Sequence, residues 1–387
     1  MNRLLVLTEL FLPTRGGTAV WAAEVYKRLG GKEIHIVTAD VPGADAVDAL
    51  HPNTIHRLNL KRVPWLRPES LAMYARFFSK ALALALTHRF DAVHAFRALP
   101  EGLVAWAVAR LTFRPVVIYA HGEELTTWGH GGKYKAMRFV LRHANRVVAN
   151  SEHTRDTLLG MGIDAARITI IYPGVDVSVF KPGLDITGLR ESLGISPDAR
   201  LVFSVGRLSR RKGFDQVIRA VARLRESGIN VHYVLAGIGE DWDYLAGLIQ
   251  EYDLPGAAHM IGAVADQDLP RWMNACDVFA MPNREIDGDN EGFGMVFIEA
   301  AACGKPVLAG DAGGTGAAVF DGVTGLRVEG SSLESVAQGL DKLLFGKEEA
   351  EAMGQRGWSR AQVEFAWARV AEKTLALSRK MTRSDKT

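Results

Sequence analysis

Cysteine is almost missing from this chain: its 387 residues include only Cys276 and Cys303. With no Cys-x-x-Cys pair and no Cys/His metal spacing, a disulfide-built domain and a zinc module are both excluded. The two thiols read as structural groups in a reducing compartment. An excess of one charge is also missing, since 46 basic and 44 acidic residues leave a net +2. Nothing in that balance attracts nucleic acid, so any basic surface has to be local. No apolar run approaches the ~18 residues of a spanning helix. The first ten residues start like a secretory leader, but Glu9 and Pro13 interrupt the run and no small-residue cleavage site follows. A first buried strand is expected there, in a cytoplasmic protein. Short-period repeats and the G-x-G-x-x-G dinucleotide fingerprint are absent too, and Asp40 is the one acid placed to meet a ribose after a second strand.

What the chain does contain is a globular mixture, 48% hydrophobic and 23% charged, long enough for two domains. At roughly 150 residues per domain a single core would be overextended. Short apolar strands alternate with helical patterns, the signature of parallel α/β layers. Strands are expected near 3–9, 34–39, 55–60, 91–96, 115–120, 146–150 and 168–172, with helices at 18–29, 69–88, 99–111, 133–143 and 152–160. A Pro/Gly-bearing linker follows from Tyr172, and the pattern then restarts. Its second half places strands at 200–205, 231–236, 259–263, 277–281 and 306–309, with helices at 213–227, 240–251, 266–274, 294–302 and 333–345. The expected division is 1–175, 176–358 and a final helical segment in 359–387.

The most informative stretch runs from Glu291 through Gly292, Phe293, Gly294, Met295 and Val296 to Glu299. It sets one carboxylate in a glycine-rich loop and a second eight residues on, around the start of a helix. Unpaired N–H groups at such a start favour phosphate. The two acids suit sugar hydroxyls on either side of it, so the combination points to a nucleotide sugar. Gly206-Arg-Leu-Ser-Arg-Arg-Lys-Gly213 follows the first strand of the second half, where a strand's carboxyl end faces ligand. Arg207 has the fork for two phosphate oxygens and Lys212 the point charge, while Arg210 and Arg211 are expected to stay in solvent. His121-Gly122 ends another strand and is expected at a ligand edge, followed by Glu123 and Glu124 as solvated or capping residues. Gly16-Gly17 fits either backbone approach to a ligand or an ordinary strand–helix turn. Asp287 and Asp289 could bridge a metal to a diphosphate. With Arg207 and Lys212 available to neutralise the same charge, no metal is expected and the pair reads as a solvent-exposed acidic loop. Two readings fit the basic aromatic stretch from Lys61 to Lys80: contact with anionic lipid head groups, or core aromatics beneath an exposed charged face.

Taken in order and spacing, these motifs resemble the retaining glycosyltransferases of family 4, with the GT-B fold: two Rossmann-like domains facing each other across a cleft. The likeness covers about residues 3 to 328 and includes Pro173-Gly-Val-Asp176, Ala149–Arg155 and Asp321–Leu326. It implies an N-terminal acceptor domain, a C-terminal nucleotide-sugar domain and a last helix crossing back to the first. Arg207 and Lys212 would hold the diphosphate, Glu291 would face the donor sugar, and the amides of Gly292, Phe293 and Gly294 would lie near its hydroxyls and phosphate. Met295 and Val296 would extend that donor contact, with Gly16 and Gly17 on the same ligand. Glu299 would bind the ribose, His121 would lie beside the reacting sugar, and Gly262, Ala263 and Val264 would frame the base. One departure is Gly313-Gly-Thr-Gly-Ala317, where the family often has Gly-Gly-x-x-Glu. The resemblance implies hexose transfer from an NDP-sugar with retained anomeric configuration and no cofactor. UDP-glucose, UDP-N-acetylhexosamine and GDP-mannose fit the named residues equally. The acceptor reads as a carbohydrate or a lipid-linked sugar in envelope glycan or glycolipid synthesis, with peripheral contact at the cytoplasmic membrane face. An NDP-sugar epimerase on the same scaffold and a non-catalytic nucleotide-sugar binder are the competing readings.

Overall fold

The computed structural model describes residues 3–14, 16–62, 68–127 and 131–384. The chain forms two compact units, Met1–Pro173 with Trp367–Thr387, and Gly174–Ala366.

In the first unit, strands β1 (Leu4–Leu7), β2 (Ile34–Ala39), β3 (Thr54–Leu58), β4 (Ala92–Ala95), β5 (Val116–Ala120), β6 (Arg146–Ala149) and β7 (Ile168–Ile170) make one parallel sheet in the order β3-β2-β1-β4-β5-β6-β7. β1, β4 and β5 are buried along their whole length, as expected for strands covered by helices on both faces. The intervening helices are α1 (Gly17–Tyr26), α2 (Ala44–Leu50), α3 (Leu71–Thr87), α4 (Leu103–Thr112), α5 (Glu123–Thr127), α6 (Gly131–His143) and α7 (Glu152–Gly160). Ser151 caps α7, its hydroxyl accepting from the Thr154 N–H at 3.2 Å.

The second unit repeats the plan. Strands β8 (Arg200–Val205), β9 (Val231–Ala236), β10 (Ala258–Gly262), β11 (Val278–Met281), β12 (Val307–Gly310) and β13 (Leu326–Val328) are parallel, in the order β10-β9-β8-β11-β12-β13. Its helices are α8 (Phe214–Glu226), α9 (Trp242–Glu251), α10 (Leu269–Ala275), α11 (Met295–Ala302), α12 (Thr315–Ala318), α13 (Leu333–Phe345) and α14 (Lys347–Arg360). α8 shows why the pattern was readable: Phe214, Val217, Ile218 and Val221 are all buried at helical spacing.

Several elements depart from the sequence pattern, among them the short helices α2, α5 and α12, which were not expected. β13 was hidden by its length of three residues. Strong charge and two glycines masked α14. The return to the first unit begins at Trp367, the start of α15 (Trp367–Ser384), and not at 359. Residues up to Ala366 are held in the second unit because Arg360 lies over the rings of Phe320 and Phe365, at 3.6 and 4.6 Å, and donates to the carbonyls of Ala317 and Ala318. The Val175 N–H also donates to the Phe365 carbonyl at 2.8 Å. α15 then packs on the first unit, where the Ser378 hydroxyl meets His94 Nε2 at 3.2 Å. His94 is buried and also bonds Tyr26 Oη at 2.7 Å. Burial drives its pKa down to about 3, so the ring is neutral.

Candidate functional site

The winding of the second sheet reverses between β8 and β11, and ligands in such sheets bind beyond the carboxyl ends at that point. The loop after β8 ends in a tight turn over Arg210–Lys212, and the loop after β11 leads through Glu291 to α11. Charge joins the two loops. Lys212 Nζ lies 2.5 Å from Glu291 Oε2, and Arg211 donates to the same oxygen at 3.0 Å. Arg211 Nε also meets Asp289 Oδ2 at 3.1 Å, so two cations balance two acids. Burial pushes the Glu291 carboxyl up, but Lys212 and then Arg211 outweigh it and hold the pKa below the ordinary range. Glu291 is therefore ionised at neutral pH.

This corrects two expectations. Arg211 is not a solvent cation, since its side chain is only 17% exposed and belongs to the network. Asp289 is its partner and not simply part of an open acidic loop. Arg210 is likewise engaged, 3.6 Å over the Tyr244 ring and 3.2 Å from Asp241. Spacing alone made these cations look interchangeable; the tight turn sends each to a different partner. Arg207 stands apart from Lys212, 74% exposed and paired with Glu240 at 3.0 Å on the loop after β9.

Two glycines shape the N-terminal end of α11. Gly294 caps the helix at φ +86°, and a Cβ there would fall 2.4 Å from the Phe297 ring. Gly313 would place a Cβ 2.3 Å from the Glu291 carbonyl oxygen, which accepts from the Gly314 N–H at 2.7 Å. The loop that departs from the family pattern is thus a backbone clamp on Glu291. The first turn of α11 contains no acid. Glu299 lies further along α11, its pKa pushed up to about 7 by burial and then by the charge of Asp266. Gly262 ends β10, and the position its missing Cβ would take faces open space; Val264 follows two residues before Asp266. Sequence reasoning missed Asn283, fully buried, which ties the ends of β11 and β12 by accepting from the Gly310 N–H at 3.1 Å and donating to the Ala312 carbonyl at 3.0 Å. A lone Asn after a strand gives no signal of that role.

In the first unit the reversal lies between β1 and β4. His121, just past β5, donates from Nε2 to the Phe96 carbonyl at 2.6 Å, which leaves Nδ1 as the acceptor nitrogen. Burial lowers its pKa despite the nearby charge of Glu124. Trp21 packs edge-on against the ring with centroids 5.4 Å apart. Glu124 is a capping residue that accepts from the His121 N–H at 2.9 Å, and Asn150 donates to the His121 carbonyl at 2.6 Å. The loop after β4 supplies an unforeseen acid, Glu101, fully buried, whose Oε1 accepts from the Glu9 N–H at 2.7 Å. Burial drives its pKa to about 7. Gly16 caps α1 at φ +140° with no atom within 4 Å of a Cβ, so this start is open; Arg15 lies outside the described residues.

The basic aromatic stretch divides. Val63–Arg67 lie outside the described residues, whereas Phe77 is buried in the core with Tyr74 and Phe78 packed against it. For α3 the reading of core aromatics beneath an exposed charged face describes Phe77, with Tyr74 and Phe78 partly buried against the core. Among the described residues no helix is long and apolar enough to cross a membrane. No group of three or more His, Cys, Asp or Glu among them is placed to hold a metal ion.

Comparison with known proteins agrees with this geometry. Residues 185–360 match the family described as Glycosyl transferases group 1, and residues 15–179 match Glycosyltransferase Family 4. The chain is 30% identical to the GDP-mannose-dependent alpha-(1-6)-phosphatidylinositol monomannoside mannosyltransferase of Mycobacterium tuberculosis, over 96% of this chain and 97% of that one. It is 32% identical to the D-inositol 3-phosphate glycosyltransferase of Actinosynnema mirum, over 80% and 77%. Its fold resembles Anabaena HepE in complex with UDP and glucose, with TM-score 0.82, 22% identity and coverage of 97% and 99%. It also resembles the sucrose-phosphate synthase of Thermosynechococcus elongatus, with TM-score 0.82, 21% identity and coverage of 99% and 100%.

Proposed function

Because this chain belongs to the family 4 glycosyltransferases and takes an NDP-sugar as donor, we propose that it transfers mannose from GDP-mannose to a hydroxyl of an inositol phosphate or phosphoinositide acceptor, with retention. The observation that carries the donor assignment is the pairing of Lys212 and Arg211 with Glu291 at the β8/β11 reversal. A diphosphate arriving there brings the charge that both cations can take in place of Glu291. The released carboxylate then accepts from donor sugar hydroxyls. Arg207, held at the surface only by an exposed ion pair, swings onto the phosphates at little cost.

Departure of the nucleoside diphosphate is the hard step, because negative charge grows on its oxygens. Lys212, Arg207 and the first-turn amides of α11 stabilise that charge where it develops, so no metal is needed. Glu299, whose pKa burial raises to about 7, is about half protonated at pH 7, and its protonated form offers both an O–H and a carbonyl oxygen to the ribose. His121, neutral with Nδ1 free to accept, receives a hydroxyl of the reacting sugar. The leaving phosphate oxygen takes the acceptor's proton on the same face of the sugar. The mycobacterial mannosyltransferase supports the mannosyl donor, and both relatives support the phosphorylated cyclitol acceptor, since each is named for an inositol ring bearing phosphate. A lipid-linked acceptor further implies work at a membrane face.

The test is incubation with GDP-mannose and either inositol 3-phosphate or a phosphatidylinositol mannoside, with the product linkage read by NMR. An α-mannoside is expected. A β-linked product would overturn retention, and epimerised donor without transfer would overturn the transferase reading.

A further inference from the structure

Behind the cationic turn after β8 lies a buried ion pair. Arg284, in the loop after β11, donates from a terminal nitrogen to Asp215 Oδ2 at 2.9 Å, and the two side chains are only 14% and 4% exposed. Asp215 stands in the first turn of α8, three positions after Lys212. The backbone of Arg284 adds a second link, its N–H donating to the Arg211 carbonyl at 2.8 Å. One residue of the β11 loop thus holds the chain on both sides of Lys212. A glycine lets the two loops come this close: Gly213 lies at φ +75°, and a Cβ there would fall 2.0 Å from the Pro282 carbonyl oxygen.

Stability alone does not account for this pair, since well-packed apolar groups of similar volume do as well as a buried ion pair or better. Asp215 also carries a cost: Arg284 and Arg219 both bind Oδ2, while the buried Oδ1 has no hydrogen-bond partner among the described residues. What the pair supplies is a fixed distance and direction between two loops. A constellation of charges needs that support, because side chains left to find their own positions lose the geometry that binds a ligand. In the donor-free chain Lys212 and Arg211 are held by Glu291 and Asp289. A diphosphate that takes the two cations from Glu291 removes that hold. The Arg284–Asp215 pair contains no group that the ligand takes, so it survives the exchange.

We propose that Arg284 and Asp215 are positioning residues for the donor, fastening the turn that bears Arg211 and Lys212 to the loop after β11 so that both cations stay in place when a diphosphate displaces Glu291. The inference rests on the donor site proposed above and adds to it two residues that touch no phosphate.

Arg284→Met compared with Arg219→Met tests the proposal in the full chain. Each variant removes one guanidinium from the same Asp215 oxygen and leaves the other, so both should fold and melt below the parent. Arg219, however, joins α8 to the Tyr244 hydroxyl of α9, at 3.1 Å. Arg284→Met should lower kcat/KM for GDP-mannose roughly 10- to 100-fold, with the donor's KM raised and the acceptor's unchanged. Arg219→Met should leave both KM values as in the parent, because a smaller folded fraction lowers kcat and moves neither. Arg284→Lys keeps a charge for Asp215 and should recover part of the donor's KM. With no donor present, NMR should show the Glu291 carboxyl titrating higher in Arg284→Met than in the parent, since its cations are held on it less firmly, and unchanged in Arg219→Met. A parental Glu291 titration in Arg284→Met, or the same donor KM in both Met variants, would overturn the proposal. Should GDP-mannose leave the parent's melting temperature unmoved, the donor assignment falls, and the donor-free titration alone decides whether the brace exists.

Discussion

The two units share one topology and treat charge in opposite ways at their sheet reversals. At β8/β11 the second unit gathers ionised groups, with Arg211, Lys212, Asp289 and Glu291 in contact. Near β1/β4 the first unit suppresses ionisation: burial lowers the pKa of His121 and raises that of Glu101 to about 7. In the proposed function, the same strand–loop edge serves as a diphosphate grip in one unit and as a neutral, hydrogen-bonding surface for sugar hydroxyls in the other. What differs is the number of opposite charges each buried group meets. Glu291 meets two cations, enough to outweigh its burial; Glu101 meets a backbone N–H and the more distant charge of Arg97.

Breaking the grip should have the largest effect. Lys212→Ala removes a fixed cation that faces the negative charge forming as the leaving group departs, and kcat should fall about 100- to 1,000-fold, measured with GDP-mannose under saturating acceptor. The same variant leaves Glu291 with Arg211 alone, so that carboxyl should titrate higher, which NMR can follow. Arg207→Ala comes next, with transfer down about 10- to 100-fold for the loss of one charge-assisted phosphate bond. Since that side chain is 74% exposed, its melting temperature should stay unchanged; near-parental kinetics would remove Arg207 from the diphosphate contact.

Glu101→Gln sharpens the contrast from the first unit. Its carboxyl holds a proton more tightly folded than unfolded, with a pKa of about 7 against an ordinary 4.5. That contribution is present below pH 4.5 and is lost as pH rises to about 7, at a cost of up to ~3 kcal/mol above it. Gln keeps an oxygen for the Glu9 N–H and carries no charge. The variant should therefore melt higher than the parent at pH 8 and match it at pH 4. His94 runs the other way: its stability contribution is present above 6.5 and lost as pH falls toward about 3, so acid melting should persist in both proteins. Arg211→Lys is the mildest change. It keeps the charge on Glu291 but loses the fork onto Asp289, and a few-fold rise in KM for the donor is expected.

Much of this organisation could be read before any coordinates. Strands and helices of the two halves stood out because buried parallel strands are nearly uniform in apolar character and helices such as α8 keep a 3.6-residue period. Lys212 and His121 were marked by loops that follow strand ends, and Glu291 by its glycine-rich loop at the start of a helix. Arg211 and Glu101 were not. The first looked like one more cation in a basic run, and the second like an ordinary acid after Pro100. The phenyl rings of α3 left two readings open for a related reason: Phe77 and Phe78 beside Arg76 suit an interface or a core until the helix face that meets the core is known.

The order of residues by itself determined the parallel α/β class, the doubling of the sheet and the family, because periodicity and motif spacing are local properties of the chain. Only the tertiary structure decided which cation meets which acid, where the return segment leaves the second unit, and which buried groups carry charge. Those outcomes depend on distances between residues far apart in sequence, such as the 79 positions from Lys212 to Glu291, and on how much water each side chain loses when the sheets and helices close around it.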